Sequence, residues 1–149
     1  MSIDHRRLAV DLFNHVWTLL RMEERTAEED DEMIHAAHAS RQHWAQTKEG
    51  TGANLARGEW QVSHVYATLG RAEPALYHAH RCLAYCEAHP NDLADWDLAY
   101  AYEALARASI VAGQEEEAGR FTERAYELAD GVADEGDRAQ LLGDLETLG

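Results

Sequence analysis

Two segments of the chain share one pattern, and this internal repeat limits the possible folds more than any other feature of the sequence. In residues 54–90, a stretch of helix-forming residues runs to Gly70, a second stretch follows, and Pro90 ends it. Residues 98–130 repeat the plan, with Gly113 at the turn, 43 residues after Gly70. Such a unit is a helical hairpin that buries its apolar face only by stacking on a neighbour. The repeat therefore predicts an all-α protein made of stacked hairpins.

Apolar residues in both segments recur at the spacing of a helix face. They stand three or four positions apart, as in Val62, Tyr66 and Leu69, and do not alternate as in a strand. Small residues recur where the two helices of a hairpin must approach each other: Ala75, Ala79 and Cys82 in one unit, and Ala118, Thr122 and Ala125 in the next. With Pro at only 2 positions, few residues interrupt these helices.

The repeated units resemble tetratricopeptide repeats. The residues that match the family pattern are the turn glycines with the alanines that follow them, Gly70 with Ala75 and Gly113 with Ala118, and the small and aromatic positions Ser63 and Tyr66. The unit departs from the pattern in its spacing, which exceeds the family's roughly 34 residues. It also has Glu59 where an aromatic residue is usual, and Trp60 follows it. The resemblance implies a right-handed stack whose first helices line a concave groove.

The rest of the chain fits the same plan as a single domain of about seven helices. The predicted units span residues 3–47, 53–88 and 92–130, and a C-terminal capping helix spans residues 134–148. Thr26 and Glu29 form a T-x-x-E capping box at the start of the second helix. We expect a loop at residues 48–54 and an N-cap at Asn91. In the capping helix, Leu141, Leu142, Leu145 and Leu148 are predicted to face inward.

The strings DDEMIHAAHASRQHW and ARGEWQVSHVYA also resemble segments of bacterial proteins with a tetratricopeptide-like fold. That resemblance implies no activity. The groove positions of the tetratricopeptide family, carried onto this sequence, are His15, Arg57, Trp60, His64, Tyr100, Glu103 and Arg107, with Thr18 and Met22 as further positions in the first unit. Aromatic faces and arginines in such a groove indicate a protein or peptide ligand, or a second copy of the chain.

Two other interpretations of the aromatic residues stay open. Trp60 and Tyr100 are compatible with ordinary core positions, with Arg57 in a solvated ion-pair network. Alternatively, burial of Trp17, Trp44 or Trp96 in an interface would make the chain a structural homodimer. Asp97 and Glu103 stand out in this part of the chain, because they are acidic residues within an otherwise apolar helix.

The competing functional hypothesis is a metal-binding enzyme or sensor. All 9 histidines precede residue 90. Helical spacing places Asp31, His35 and His38 on one face, and imidazole with carboxylate is a suitable ligand set for zinc, nickel or iron, with Glu59 as a further candidate. In a second set, His78, Cys82 and Cys86 are stretched along about 12 Å of helix, which is too long for one tetrahedral ion without local unwinding, and His89 follows near the helix end.

Composition excludes several other classes of protein. The net charge of −15 disfavours nucleic acids and anionic membrane surfaces as partners. No stretch reaches the roughly 18 apolar residues of a membrane span, and the two cysteines are expected to be reduced thiols in a cytoplasmic protein. The sequence contains no recognisable nucleophile motif or phosphate-binding glycine loop, and it indicates no cofactor. These observations favour a binding protein over an enzyme.

Overall fold

The computed structural model describes residues 2–48 and 50–149, and within these residues the fold is entirely helical. The helices are α1 (His5–Leu20), α2 (Ala27–Gln46), α3 (Gly52–Thr68), α4 (Ala72–Ala88), α5 (Asp97–Val111), α6 (Glu115–Ala129) and α7 (Glu135–Glu146), with a 3₁₀ turn at Pro90–Asp92. The predicted class and the predicted number of helices are confirmed. None of these helices combines the length and the hydropathy that crossing a membrane requires.

Consecutive helices pair into three hairpins, and α7 follows as a cap. Helix α1 packs on α2, α3 on α4, and α5 on α6. The hairpins then stack, because the second helix of each contacts the first helix of the next, and α3 also lies directly against α5. The first helices therefore form one row of neighbouring elements.

Two glycines end the first helices of the second and third hairpins. Gly70 and Gly113 have φ of 74° and 75°, in the left-handed region that favours glycine. The amide of the residue after each glycine returns to a carbonyl in the last helical turn, from Arg71 N to Tyr66 O and from Gln114 N to Ser109 O, each at 2.9 Å. This hydrogen bond closes the helix end and turns the chain back for the second helix.

Small side chains let the paired helices approach closely. Ala75 and Ala79 of α4 have no exposed surface, and Cys82 is 2% exposed. Because Ala75 is so small, the hydroxyl of Ser63 on α3 reaches its carbonyl oxygen and donates a hydrogen bond of 2.8 Å. Ala118 and Ala125 are buried in the equivalent contact between α5 and α6.

Helix boundaries differ from the sequence expectation at two places. The predicted loop at residues 48–54 is shorter, because Thr51 caps α3 by accepting from Asn54 N and the helix begins at Gly52. Asn91 is not the N-cap of α5. It lies in the 3₁₀ turn, and α5 begins at Asp97, whose own carboxylate accepts from Ala94 N at 2.7 Å. The capping box of Thr26 and Glu29 is confirmed.

Helix α7 covers the apolar end of the stack. Its Leu141 and Leu145 are buried in a cluster with Ala125, Ala129 and Val132. Leu142 and Leu148 pack against this cluster while remaining partly exposed. The helix therefore shields the last hairpin from water, as a terminal element of a stack must do.

The turn glycines provide the first testable prediction. We expect Gly70→Ala and Gly113→Ala each to lower the free energy of unfolding by about 1 kcal/mol, because a Cβ is strained at these positive φ values. The matched control is Gly119→Ala within α6, where an added Cβ meets no atom within 4 Å. That change should raise stability by roughly 0.5–1 kcal/mol. Urea unfolding distinguishes the two signs, and a stability that is unchanged or raised by Gly70→Ala and Gly113→Ala would contradict this account of the turns.

Candidate functional site

A cavity of about 490 Å³ opens between the first helices of the hairpins and α7. This is within the usual size range of ligand sites. Its lining combines five aromatic side chains with charged and polar groups: Phe13, Trp17, Trp60, Trp96, Tyr100, Arg21, Arg57, Asp97, Asp137, Gln140 and Asp144, together with Ala56 and Cys82. We call this surface the groove. Four of its aromatic residues, all except Trp60, are only half-buried, so each keeps part of its surface accessible.

The floor of the groove is fixed by a hydrogen bond between neighbouring hairpins. Trp60 of α3 is 9% exposed, and its Nε1 donates to Oε2 of Glu103 on α5 at 2.8 Å. Glu103 has no exposed surface, and its other oxygen accepts from Nε of Arg107 at 2.7 Å. Burial raises the pKa of Glu103, although Arg107 and Trp60 act in the opposite direction. The buried carboxylate is thus stabilised by one indole and one guanidinium.

A second link between the hairpins lies at the start of α5. Arg57 donates from Nε and Nη2 to the two carboxylate oxygens of Asp97, both at 2.8 Å. The same guanidinium lies 4.5 Å from the ring centre of Trp96. A two-pronged contact of this kind fixes orientation as well as distance. It holds the ring of Trp96 at the edge of the groove.

His64 lies one helical turn beyond Trp60 and supports its ring. The two rings are stacked with centres 5.1 Å apart, and Trp17 lies 5.8 Å from His64 on another side. Burial, with a smaller contribution from the charge of Arg107, lowers the pKa of His64 to about 4. Its Nδ1 is buried without a hydrogen-bond partner among the described residues. His64 is therefore a neutral part of the support beneath the groove.

Tyr100 connects the groove to α7. Its hydroxyl donates to Oδ2 of Asp144 at 2.6 Å, and burial followed by this contact raises the pKa of the phenol. Arg107 adds two bonds to the same helix end, to the backbone oxygen of Asp144 at 3.3 Å and to Oγ1 of Thr147 at 2.7 Å. Helix α7 is thus both the cap of the stack and one wall of the groove.

Most of the predicted groove residues come together in the structure. Arg57, Trp60 and Tyr100 line the cavity directly. His64, Glu103 and Arg107 lie behind them as their packing and hydrogen-bond partners. The clustering follows from the repeat, because Trp60 and Glu103 stand at equivalent places 43 residues apart and touch across the α3–α5 contact.

The groove residues predicted for the first hairpin need correction. His15 does not line the cavity. It points away, with Nε2 at 2.7 Å from Oε2 of the exposed Glu32. Thr18 bonds back to its own helix, and Met22 packs in the cluster around Val16. Helix α1 instead presents Phe13, Trp17 and Arg21, which are four positions apart and share one face. His15 lies two positions from Trp17, so its side chain is turned from that face by about 200°.

Sequence reasoning also missed the contribution of α7. Asp137, Gln140 and Asp144 stand three and four positions apart, a spacing that indicates a common helix face. The leucines of that helix indicate only its opposite, buried face. The sequence marks Trp96 as an interface candidate and Asp97 as an unusual acidic residue, but it does not connect either of them to the groove.

The predicted metal ligands are not brought together. Asp31 and His35 are exposed on α2. His38 is half-buried with Nε2 at 2.9 Å from the hydroxyl of Tyr66, and burial, then the nearby His78, lowers its pKa. Throughout residues 2–48 and 50–149, no three His, Cys, Asp or Glu side chains are grouped to hold a metal ion. Cys82 and Cys86 of the second predicted set are buried in the core.

Glu59, the remaining metal candidate, instead joins the first two hairpins. Its Oε1 accepts from Nε of Arg41 at 3.2 Å, and its Oε2 accepts from Nδ1 of His78 at 2.6 Å. Arg41 also donates to the hydroxyl of Tyr85 at 2.9 Å. Glu59 thus links α2, α3 and α4 in one network of hydrogen bonds.

The tryptophans considered for a dimer interface separate into two groups. Trp17 and Trp96 belong to the groove, where each carries an arginine over its ring, Arg21 at 5.8 Å and Arg57 at 4.5 Å. Trp44 lies on α2, outside the groove, with Arg6 at 5.6 Å from its ring centre. The three rings therefore do not form one apolar patch.

Comparisons of the chain with protein-family models, with curated proteins and with solved structures found no match.

The low pKa of His64 gives a prediction with a definite sign. Between its ordinary value of 6.5 and about 4, the unfolded chain binds a proton at this site and the folded chain does not. Stability that is present above pH 6.5 should therefore decrease as the pH falls through this window, by on the order of 3 kcal/mol from this group when the window is complete. We expect His64→Gln to remove that part of the pH dependence.

The measurement is urea unfolding of wild type and variant from about pH 7 to about pH 4.5, with the difference between the two curves as the readout. Other titrating groups are common to both proteins and cancel in this difference. His80→Gln, at an exposed position of α4, controls for the loss of one imidazole. A constant difference between wild type and His64→Gln across the range would contradict the assignment.

Proposed function

We propose that the protein is a non-enzymatic interaction scaffold of the tetratricopeptide-like type that binds a peptide segment of a protein partner in the groove. The observation that carries this proposal is the gathering of five aromatic side chains from α1, α3 and the start of α5 around one open cavity. Isolated exposed aromatic residues are common, but a concave group of them is costly to leave in water. Such groups mark binding surfaces.

The chemistry of the groove suits a peptide. Tryptophan, tyrosine and arginine are the residues most enriched in the energetically dominant positions of protein interfaces. In the groove they are accompanied by Gln140 and by carboxylates that can bond to peptide amides and side chains. A volume of about 490 Å³ accommodates a few residues of a peptide, so the contact would be with a short segment.

The groove is also held in its shape before any ligand arrives. The bonds of Trp60 to Glu103, of Arg57 to Asp97 and of Tyr100 to Asp144 link the successive helices that form its walls. A site fixed in this way loses little conformational entropy when it binds. This favours recognition by a rigid surface, with most of the ordering required of the peptide.

The net charge of −15 argues against nucleic acids. Both cysteines are free and buried, in keeping with a cytoplasmic protein. A second copy of the chain is the alternative occupant of the groove. Sedimentation would identify it, since a dimer that dissociates when the groove is filled would assign the groove to self-association.

Filling the groove provides the test. Gln140 projects into the cavity from α7, is exposed, and makes no side-chain hydrogen bond within the described residues. We expect Gln140→Trp to occupy the space with an indole and to reduce peptide binding at least about tenfold, which corresponds to roughly 1.4 kcal/mol. The matched control is Ala139→Trp, which adds the same side chain at an exposed neighbouring position outside the cavity.

The probe is a displayed library of random twelve-residue peptides, selected in parallel on wild type, Gln140→Trp and Ala139→Trp. We expect some peptide sequences to be enriched on wild type and on Ala139→Trp and to be lost on Gln140→Trp. Circular dichroism and urea unfolding verify that all three proteins are equally folded. Equal enrichment on Gln140→Trp, or no enrichment on wild type, would contradict a peptide-binding groove.

A further inference from the structure

We propose that the segment held in the groove carries an arginine or lysine. Its cation binds with the carboxylates of Asp137 and Asp144 of α7 on one side and the aromatic rings of the groove on the other. This inference rests on the proposed function and names the chemistry of its ligand. It follows from the charges of the groove that remain unpaired after the chain's own contacts are taken into account.

The cations in and below the middle of the groove are already engaged by carboxylates of the chain. Arg57 directs two nitrogens to Asp97, which is 2% exposed in its side chain. Arg107 directs Nε to Glu103 and Nη2 to the end of α7. The charge of each guanidinium is thus balanced by a carboxylate of the chain, and withdrawing the guanidinium from that carboxylate would be costly. The middle of the groove is therefore poorly suited to an anion.

The carboxylates of α7 are in the opposite situation. Asp137 is exposed, and its carboxylate makes no hydrogen bond or ion pair within residues 2–48 and 50–149. Asp144 is half-buried and uses only Oδ2, which accepts from Tyr100. That bond holds the carboxylate in one orientation while Oδ1 keeps its capacity to accept. Two carboxylates on one face of one helix thus remain available to a ligand.

The aromatic rings supply the second half of a cation site. A guanidinium or ammonium over an indole or phenol ring is attracted by the ring face. The groove already uses this contact internally, because Arg57 lies over Trp96 and Arg21 lies over Trp17. The half-buried Tyr100 packs edge-on against Trp60 and Trp96, with ring centres 5.6 and 6.0 Å away, and its hydroxyl bonds to Asp144. A ligand cation at this place would meet a ring face and a carboxylate together.

Arg21 is the one opposing charge on the groove lining. It is exposed at the end of α1 and makes no ion pair within the described residues. The charges of Arg57 and Asp97 neutralise each other. Of the other charged residues of the lining, Asp137 and Asp144 are negative and Arg21 is positive, which leaves an excess of one negative charge. The field of the whole chain, with its net charge of −15, adds to the attraction of a cation. Arg21 is suited to a carboxylate elsewhere on the same segment.

The library selection described above supplies the first readout, namely the composition of the peptides whose enrichment disappears on Gln140→Trp. We expect these peptides to contain Arg or Lys at one recurring position. The second readout is the Kd of one such peptide, measured by tryptophan fluorescence. We expect Asp137→Asn/Asp144→Asn to weaken it at least about tenfold. Citrulline in place of the peptide's arginine should have the same effect, since it removes the charge and keeps the shape.

The matched control is Asp31→Asn/Glu87→Gln, which removes two negative charges from exposed positions on α2 and α4. It should change the Kd by less than about twofold, because exposed charges far from the ligand are screened by salt. Unfolding curves verify that the α7 variant keeps the fold. In that variant the carboxamide oxygen introduced at position 144 can still accept from Tyr100.

The possible outcomes separate this inference from the proposal on which it rests. If the groove-dependent peptides are acidic or uncharged, or if the α7 variant binds as tightly as the control, the groove still binds peptides and the cation site is overturned. If no peptide depends on the groove, both proposals fall. Recurring basic residues together with a loss confined to the α7 variant and to citrulline support the cation site.

Discussion

The hydrogen bond between Trp60 and Glu103 is the contact on which the rest of the structure depends. It joins positions of α3 and α5 that are equivalent in the repeat, and Glu103 has no exposed surface at all. A carboxylate in such a place is tolerated only when its oxygens are bonded, and here Trp60 and Arg107 occupy both. The bond therefore fixes the distance and the register between two hairpins. Because Trp60 also lines the cavity, the same bond forms the floor of the groove.

A few polar contacts hold the helices that form the walls of the groove. Arg57 ties α3 to the start of α5, and Tyr100 ties α5 to α7. These contacts use the polar atoms of the aromatic and arginine side chains and leave several ring faces half-exposed. Alanines, serines and cysteines fill the hairpin contacts instead, so the large rings are available for the concave side. Stability and the proposed binding thus draw on different parts of the same residues.

Much of this arrangement could be predicted from the sequence, because it is encoded locally. Apolar periodicity, the turn glycines and the small residues after them define the hairpins, and the repeat offset pairs Trp60 with Glu103. Two features could not be read in this way. The face that α1 turns to the groove depends on how it docks on its neighbours, so the sequence pattern predicts His15 in the groove where the structure has Trp17. Likewise, helical spacing suggested ligands at Glu59 and His38 without revealing that Arg41 and Tyr66 would bond to them.

Hydrogen exchange of the four tryptophan indole N–H groups, followed by NMR, tests the account most directly. Within the described residues, Trp60 alone donates its indole N–H to a carboxylate, and it does so in a buried setting. The rings of Trp17, Trp44 and Trp96 are more exposed. We expect the Trp60 proton to exchange by far the slowest of the four. Exchange of the Trp60 proton as fast as that of Trp17 would contradict the claim that this bond holds the hairpins and the groove together.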